Sequence, residues 1–106
     1  DRPKRGYAPA RERLAAAQLA LDHGDGAGAR HHLKRLLYLE PDSILGHYLS
    51  GIAHMATGSR TRARRQFGVS AVLLDGLADD APVPGADGWQ AGALRALVAT
   101  WMERAA

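Results

Sequence analysis

An all-α fold, two consecutive helical hairpins closed by a C-terminal helix, is predicted by three features of the 106-residue chain. The first is an internal repeat. With residues 10–43 aligned on residues 44–77, an offset of 34, Gly24 falls on Gly58, Ala29 on Ala63, Leu33 on Phe67, Leu39 on Leu73 and the small Ala17 on the small Gly51. The second is period. Apolar residues recur at three- and four-residue intervals, and no segment alternates apolar with polar as a half-buried strand does. The third is punctuation: glycine, proline and short polar clusters fall between the periodic segments.

In chain order, residues 1–9 (DRPKRGYAP) hold two prolines, a glycine and three cations, and read as a linker or arm. Residues 10–23 are rich in alanine and leucine. They set Leu14, Ala17 and Leu21 on one face and predict the first helix. The run GDGAG (24–28) interrupts it. Residues 29–39 then bring Ala29, Leu33, Leu36 and Leu37 to one side. Pro41 stops this second helix. Asp42 or Ser43 can cap the third, because a short oxygen-bearing side chain accepts from the free amides of a first turn. Residues 44–57 carry Ile44, Tyr48, Gly51, Ile52 and Met55 on a stripe. Gly58 turns the chain, with Ser59 or Thr61 as the next cap. A fourth helix runs to about Leu74 with Ala63, Phe67, Ser70, Ala71 and Leu74 inward. A Pro/Gly/Asp loop follows the second repeat over residues 78–88, and Asp87 reads as the cap of a fifth helix. That helix covers residues 89–104, aligns Leu94, Leu97, Val98 and Trp101, and is expected to shield the open face of the second hairpin.

One domain is expected at this length, with a core near the small end of what folds alone. Cysteine is absent, which excludes a disulfide framework and a thiolate metal site. No apolar run approaches the ~18 residues needed to span a bilayer, and no basic–apolar–small leader opens the chain. The first residue is Asp1 and not methionine, and a fragment of a longer, cytoplasmic protein is expected. The net charge of +3 hides an asymmetry. Residues 1–74 carry 12 Lys/Arg against 6 Asp/Glu, and residues 75–106 carry 2 against 5. The basic portion suits an acidic partner.

A 34-residue period with this order of small and large residues resembles the tetratricopeptide repeat (TPR). The resemblance implies an α-solenoid, a segment of right-handed superhelix whose hairpins bind other proteins. The matched residues also have a physical reading. Small Ala17 and Gly51 let the two helices of a hairpin approach, Ala29 and Ala63 do so from the second helix, and Leu33 and Phe67 fill what remains. Gly24 and Gly58 leave the helix through a conformation other residues resist. The repeats are degenerate. Arg13, Ala20, His47 and His54 stand where the TPR pattern has large residues, Ser50 where it has leucine, and Asp75 where it has proline.

A narrower resemblance lies in YLEPDSILGHYLSG (38–51), with Pro41, His47, Tyr48 and Gly51, followed by Ala63, Arg64, Arg65 and Phe67 and by Leu73 and Leu74. An acidic loop with Asp79, Asp80, Pro82, Pro84, Asp87 and Gly88 then leads into Ala91, Gly92, Ala93 and Leu94. Over about residues 29–100 these runs are similar to the C-terminal TPR region of CheR-type chemoreceptor methyltransferases, with Trp89 where leucine is expected. The resemblance implies a parent enzyme that transfers a methyl group from S-adenosylmethionine to receptor glutamates. For this piece it implies docking or regulation, directed at the receptor, another signalling protein or the catalytic domain. The chain has no glycine-rich strand–turn–helix, so no cofactor is assigned to it.

Candidate binding residues follow from repeat position. The first helix of each hairpin lines the inner groove of a TPR stack. That places Arg11, Leu14, Gln18, Leu21 and Asp22 there from the first hairpin, and Leu45, Tyr48, Ile52 and Met55 from the second. A surface of Tyr, Met and aliphatic residues suits a partner helix or an extended peptide. The competing reading packs the same side chains on the arm, the fifth helix or an upstream domain. A second candidate is a basic ridge of Arg30, Lys34, Arg60 and Arg64, flanked by Arg35, Arg62 and Arg65. Arg60 and Arg62 fall in a first helical turn, where the dipole disfavours cations by roughly 0.3–1 kcal/mol. That penalty hints at an anionic contact, against the plain alternative of a solvated face. Nucleic acid is disfavoured because no aromatic residues interleave the cluster. Of the five histidines, His31 and His32 diverge from a helix, and His47 and His54 occupy packing positions, so packing is expected and metal binding is not. With no phosphate loop, no cysteine nucleophile and no Ser/His/acid set, no active site is expected in this chain.

Overall fold

The computed structural model describes the backbone from residue 2 and the side chains from Pro9 onward. Five helices follow one another: α1 (Arg2–Asp22), α2 (Gly26–Leu39), α3 (Ile44–Ala56), α4 (Arg60–Asp75) and α5 (Ala91–Ala105). Each packs on the next in sequence, and α1 also touches α3. The described residues form no strand beyond one isolated antiparallel bridge between Pro82 and Gln90. None of the described helices is long and apolar enough to cross a membrane.

The 34-residue offset reappears in the backbone hydrogen bonds. At the end of α1, Asp25 N donates to Ala20 O at 2.8 Å and Gly24 N to Leu21 O at 3.1 Å. At the end of α3, Ser59 N donates to His54 O at 2.8 Å and Gly58 N to Met55 O at 3.2 Å. Inside each turn one glycine, Gly24 at φ 77° and Gly58 at φ 81°, takes the left-handed backbone that a Cβ resists. This stop satisfies a late helical carbonyl with a 6→1 bond. It leaves only residues 23–25 and 57–59 between helices, so α2 folds back on α1 and α4 on α3.

Helix starts depart from the sequence reading where local bonding outweighs composition. Residues 2–9, read as part of an arm, lie in α1, which runs through Pro9; Asp1 lies outside the described residues. A proline removes one helical hydrogen bond, and Pro3 falls in the first turn where amides lack partners anyway. α2 starts at Gly26 and not after the GDGAG run, because Asp25 caps it by accepting from the Gly28 amide at 2.8 Å. Ser43, one of the two expected caps, does the same for α3 through the Gly46 amide at 2.9 Å. Ser59 precedes α4 without a side-chain capping bond. Asp87 does not cap α5. That helix begins at Ala91 behind an extended Gln90. The loop's own pairing explains the shift: Val83 N donates to Trp89 O at 3.1 Å and Ala91 N to Ala81 O at 2.8 Å, which commits residues 89–90 to extended backbone.

The core is built from the matched small and large residues. Ala17, Ala29, Leu33, Ala63, Phe67 and Leu74 are fully buried, joined by Leu94 and Val98 from α5. α3 approaches α4 so closely at Gly51 that a Cβ there would lie 2.4 Å from a Phe67 ring carbon. The Phe67 ring is held in turn by Trp101 of α5, stacked at 5.9 Å between centroids and 22° between planes, and by Tyr48 at 6.3 Å. The first hairpin solves the same packing problem with Ala17 and Leu33. A larger side chain on one helix is matched by a smaller one on the other.

Arg95 joins α5 to the end of α4. Its guanidinium donates to Leu74 O at 2.7 Å and Leu77 O at 2.9 Å, and it pairs with Asp79 and, at 3.7 Å, with Asp75. One planar fork thus satisfies late carbonyls of α4 and anchors the following loop.

Two outcomes are expected. Gly51→Ala lowers stability by about 1–3 kcal/mol through overpacking, outweighing the ~1 kcal/mol that alanine gains over glycine in a helix. In a Phe67→Leu background, which recreates the first hairpin's pairing, Gly51→Ala becomes neutral or stabilising. Denaturant unfolding of the four-member cycle reads the coupling, and additive effects would refute the steric account. Arg95→Ala costs about 1–3 kcal/mol by taking the donor from the Leu77 carbonyl and removing the links to Leu74 and Asp79, and Arg95→Lys does not restore the loss because an ammonium cannot reproduce the fork. Thermal unfolding of both variants checks it.

Candidate functional site

Two faces carry the candidate residues. The face formed by α1 and α3 is partly covered by the segment between α4 and α5, residues 76–90. Val83 of this segment is buried. Pro84 and Gly85 line an open cleft with Arg11, Leu14, Leu36 and Ile44. A neighbouring cleft of about 360 Å³ is shared by Gln18, Leu45 and Tyr48 with Gly85, Ala86, Asp87 and Trp89. The nine residues assigned to the inner groove therefore divide. Leu45 and Tyr48 are buried, Ile52 and Met55 are half-buried against the core, and Gln18 is exposed. Burial pushes the Tyr48 hydroxyl above its usual range, with the neighbouring Trp101 opposing the shift. Arg11 and Asp22 are exposed, and Leu14 and Leu21 are half-buried.

The second face holds the basic residues. α2 presents Ala27, Arg30, His31 and Lys34, spaced to share one side of a helix, and α4 presents Arg62, Arg65 and Gln66 in the same way. Between them lies a cleft of about 570 Å³ to which α3 contributes Ser50 and His54. Four permanent cations face one space, and no carboxylate lines it. Among the described residues the only ion pairs are those of Arg95, so none of these four cations is neutralised by a contact. Arg30 reaches the Thr57 hydroxyl at 3.4 Å.

This grouping differs from the ridge expected from sequence. Arg30 and Lys34 belong to the cleft, but Arg60 and Arg64 do not. Arg60 lines an adjoining open cleft with Met55, Ser59, Thr61 and Arg62, and Arg62 and Arg65 line the cleft between α2 and α4. The ridge rested on equal repeat positions, Arg30 with Arg64. Neighbouring helices meet through facing flanks, and the flank of α4 turned toward α2 carries Arg62 and Arg65.

His54 is the residue whose role sequence reading missed. Its Nδ1 is buried and has no hydrogen-bond partner among the described residues. Burial first, then the charges of Arg30 and Arg62, hold its imidazole below the ordinary histidine range. The available signal was its departure from the repeat pattern next to the arginines of two flanking helices. His47 is different. Its Nε2 lies 2.7 Å from Pro41 O and its Nδ1 2.7 Å from Gln66 Oε1, so it ties α3 to the preceding turn and to α4. His32 meets an Arg13 nitrogen at 3.2 Å. Among the described residues no three His, Asp or Glu side chains gather as a metal-ligand set.

No protein-family model matches the chain, and neither does any curated protein or solved structure. The arrangement is thus to be read from its own chemistry. One face is apolar and partly covered, and the other is a cationic cleft with an unused histidine nitrogen at its margin.

The depressed imidazole has a consequence for stability. The unfolded chain takes up a proton at higher pH than the folded chain does. The contribution of neutral His54 is therefore complete above about pH 6.5 and fades as pH falls through the lower folded value. Between about pH 7 and pH 5, the melting temperature of the wild type is expected to drop further than that of His54→Gln. Parallel decreases would refute the assignment.

Proposed function

We propose that this chain is a TPR-type scaffold for protein–protein recognition, the C-terminal module of a chemosensory protein-glutamate methyltransferase, which contributes docking or regulation and no chemistry. The observation that carries the repeat reading is the recurrence, at an offset of 34, of one helix-stop geometry together with one set of close-packed positions. Composition alone does not demand such coincidence, and a unit that stacks by repetition does.

The methyltransferase reading draws support from the residues that suggested it. Asp79 accepts from the Gly92 amide through its carbonyl at 2.9 Å and pairs with Arg95 through its side chain. A Cβ on Gly92 would crowd Asp79 at 3.1 Å, and Gly88 takes φ 81°. Pro82 bridges to Gln90. The acidic loop and the helix start after it are thus coupled parts of one closed device seated over α1 and α3. In this reading the methyl donor is bound by the catalytic domain of the parent, and the partner is a receptor, another signalling protein or that catalytic domain.

The test is an amide NMR titration of the labelled chain with the cytoplasmic portion of a chemoreceptor. Saturable shifts at Gln18, Leu21, Ile52 and Met55 are expected. Smaller ones are expected at Leu45 and Tyr48, which the chain's own loop already covers. An unperturbed spectrum with the receptor, and with the catalytic domain of a methyltransferase of this type, would overturn the proposal.

A further inference from the structure

The geometry points to a binding site for a phosphoryl group in the cleft between α2 and α4, held by Arg30, Lys34, Arg62 and Arg65 with His54 and Gln66 beside them. This inference is independent of the partner proposed for the opposite face. It rests on four observations. The cleft, about 570 Å³, lies within the range of small-ligand sites. Its walls carry four cations and no carboxylate, and the ion pairs among the described residues involve none of the four. Gln66 of α4 adds a polar side chain to the same lining. Finally, Ser50 and His54 of α3 line the same cleft between the two cationic flanks.

The chemistry selects the ligand class. A single carboxylate neutralises one of four cations. A phosphoryl group brings up to two charges and three strong acceptor oxygens, and a diphosphate brings more. Three of the four cations are arginines, whose planar forks suit phosphate oxygens bidentately. Gln66 is tied to His47 at 2.7 Å, which holds its side chain beside the cleft. Around His54, α2 contributes Arg30, His31 and Lys34 and α4 contributes Arg62 and Arg65. In the empty cleft burial, then the charges of Arg30 and Arg62, oppose protonation of the imidazole. A bound anion reverses the sign of that field, so His54 takes up a proton more readily when the site is filled. For a ligand of fixed charge, binding is therefore tighter at low pH and weakens as pH rises through the bound-state value.

The experiment is a titration of the full chain with inorganic pyrophosphate at low ionic strength, following histidine ring and amide resonances by NMR. Parallel arms use a phosphoserine peptide and the same peptide with glutamate in place of phosphoserine. The expected result is one saturable site, with shifts at Arg30, Lys34, Arg62 and Arg65 and a His54 titration midpoint moved upward at saturation. Arg62→Gln and Arg65→Gln each weaken pyrophosphate binding about tenfold, as the loss of one charge-assisted bond would. Arg64→Gln changes it little, and His54→Leu flattens the pH dependence of the affinity. Pyrophosphate binding without the phosphopeptide identifies a free phosphate compound as the source. Binding of the phosphopeptide identifies a phosphorylated protein. Unchanged melting temperatures show that the surface variants remain folded. The assignment is overturned if Arg64→Gln weakens binding as much as Arg62→Gln, if the glutamate peptide binds as tightly as the phosphopeptide, or if the His54 midpoint stays fixed at saturating pyrophosphate.

Discussion

The approach of α3 to α4 at Gly51 is the constraint on which the rest of the molecule depends. With no Cβ at that point the helices close until the Phe67 ring lies against the α3 backbone. That ring then presents a surface on which Trp101 stacks, and so determines where α5 can sit. The position of α5 in turn delivers Arg95 to the end of α4 and draws residues 76–90 back over α1 and α3. One missing methyl group therefore governs the packing of the second hairpin, the seating of the closing helix and the cover on the apolar face.

The same closeness has an effect on the other side of the molecule. α2 packs on α3 at Gly26, where a Cβ would lie 3.0 Å from Thr57 and 3.1 Å from Ala56. Short separations at Gly26 and Gly51 bring α2 and α4 in against α3 on either side, and their cationic flanks face one another across it. Like charges facing across a cleft repel, and the solvent screens them only in part. The packing of the core thus sustains a charge arrangement that the surface alone does not favour.

Helix number, order and turns were legible in the sequence because glycine, proline and small residues act locally. Gly24, Gly58 and Ser43 do what their positions imply. The misread starts have a common origin. Each is set by bonding that composition does not display: Asp25 caps α2 through the Gly28 amide, Ala81 and Val83 pair with Ala91 and Trp89 and so delay α5, and Pro9 is carried by a helix already under way. The candidate faces were less legible. Tyr48 carries the chemistry of a binding residue and the burial of a core residue, and what decides between them is packing on Phe67 and Trp101, far along the chain. Arg62 and Arg65, and not Arg60 and Arg64, share a cleft with Arg30 and Lys34 because two adjacent helices face each other through opposite flanks, which carry different repeat positions.

Because every helix packs chiefly on its sequence neighbours, most of this fold closes short stretches of chain, and low contact order favours rapid assembly from either hairpin. A purely sequential stack would also fray, its end units opening without disturbing the middle. The segment from Val83 to Gly85 works against that, since it leaves the α4 end and lodges beside Leu14 of α1. It acts as a clasp between the first helix and the last. Hydrogen exchange in α1 and α5 should consequently slow and quicken together, as a single unfolding unit, where an open array would release its two ends independently.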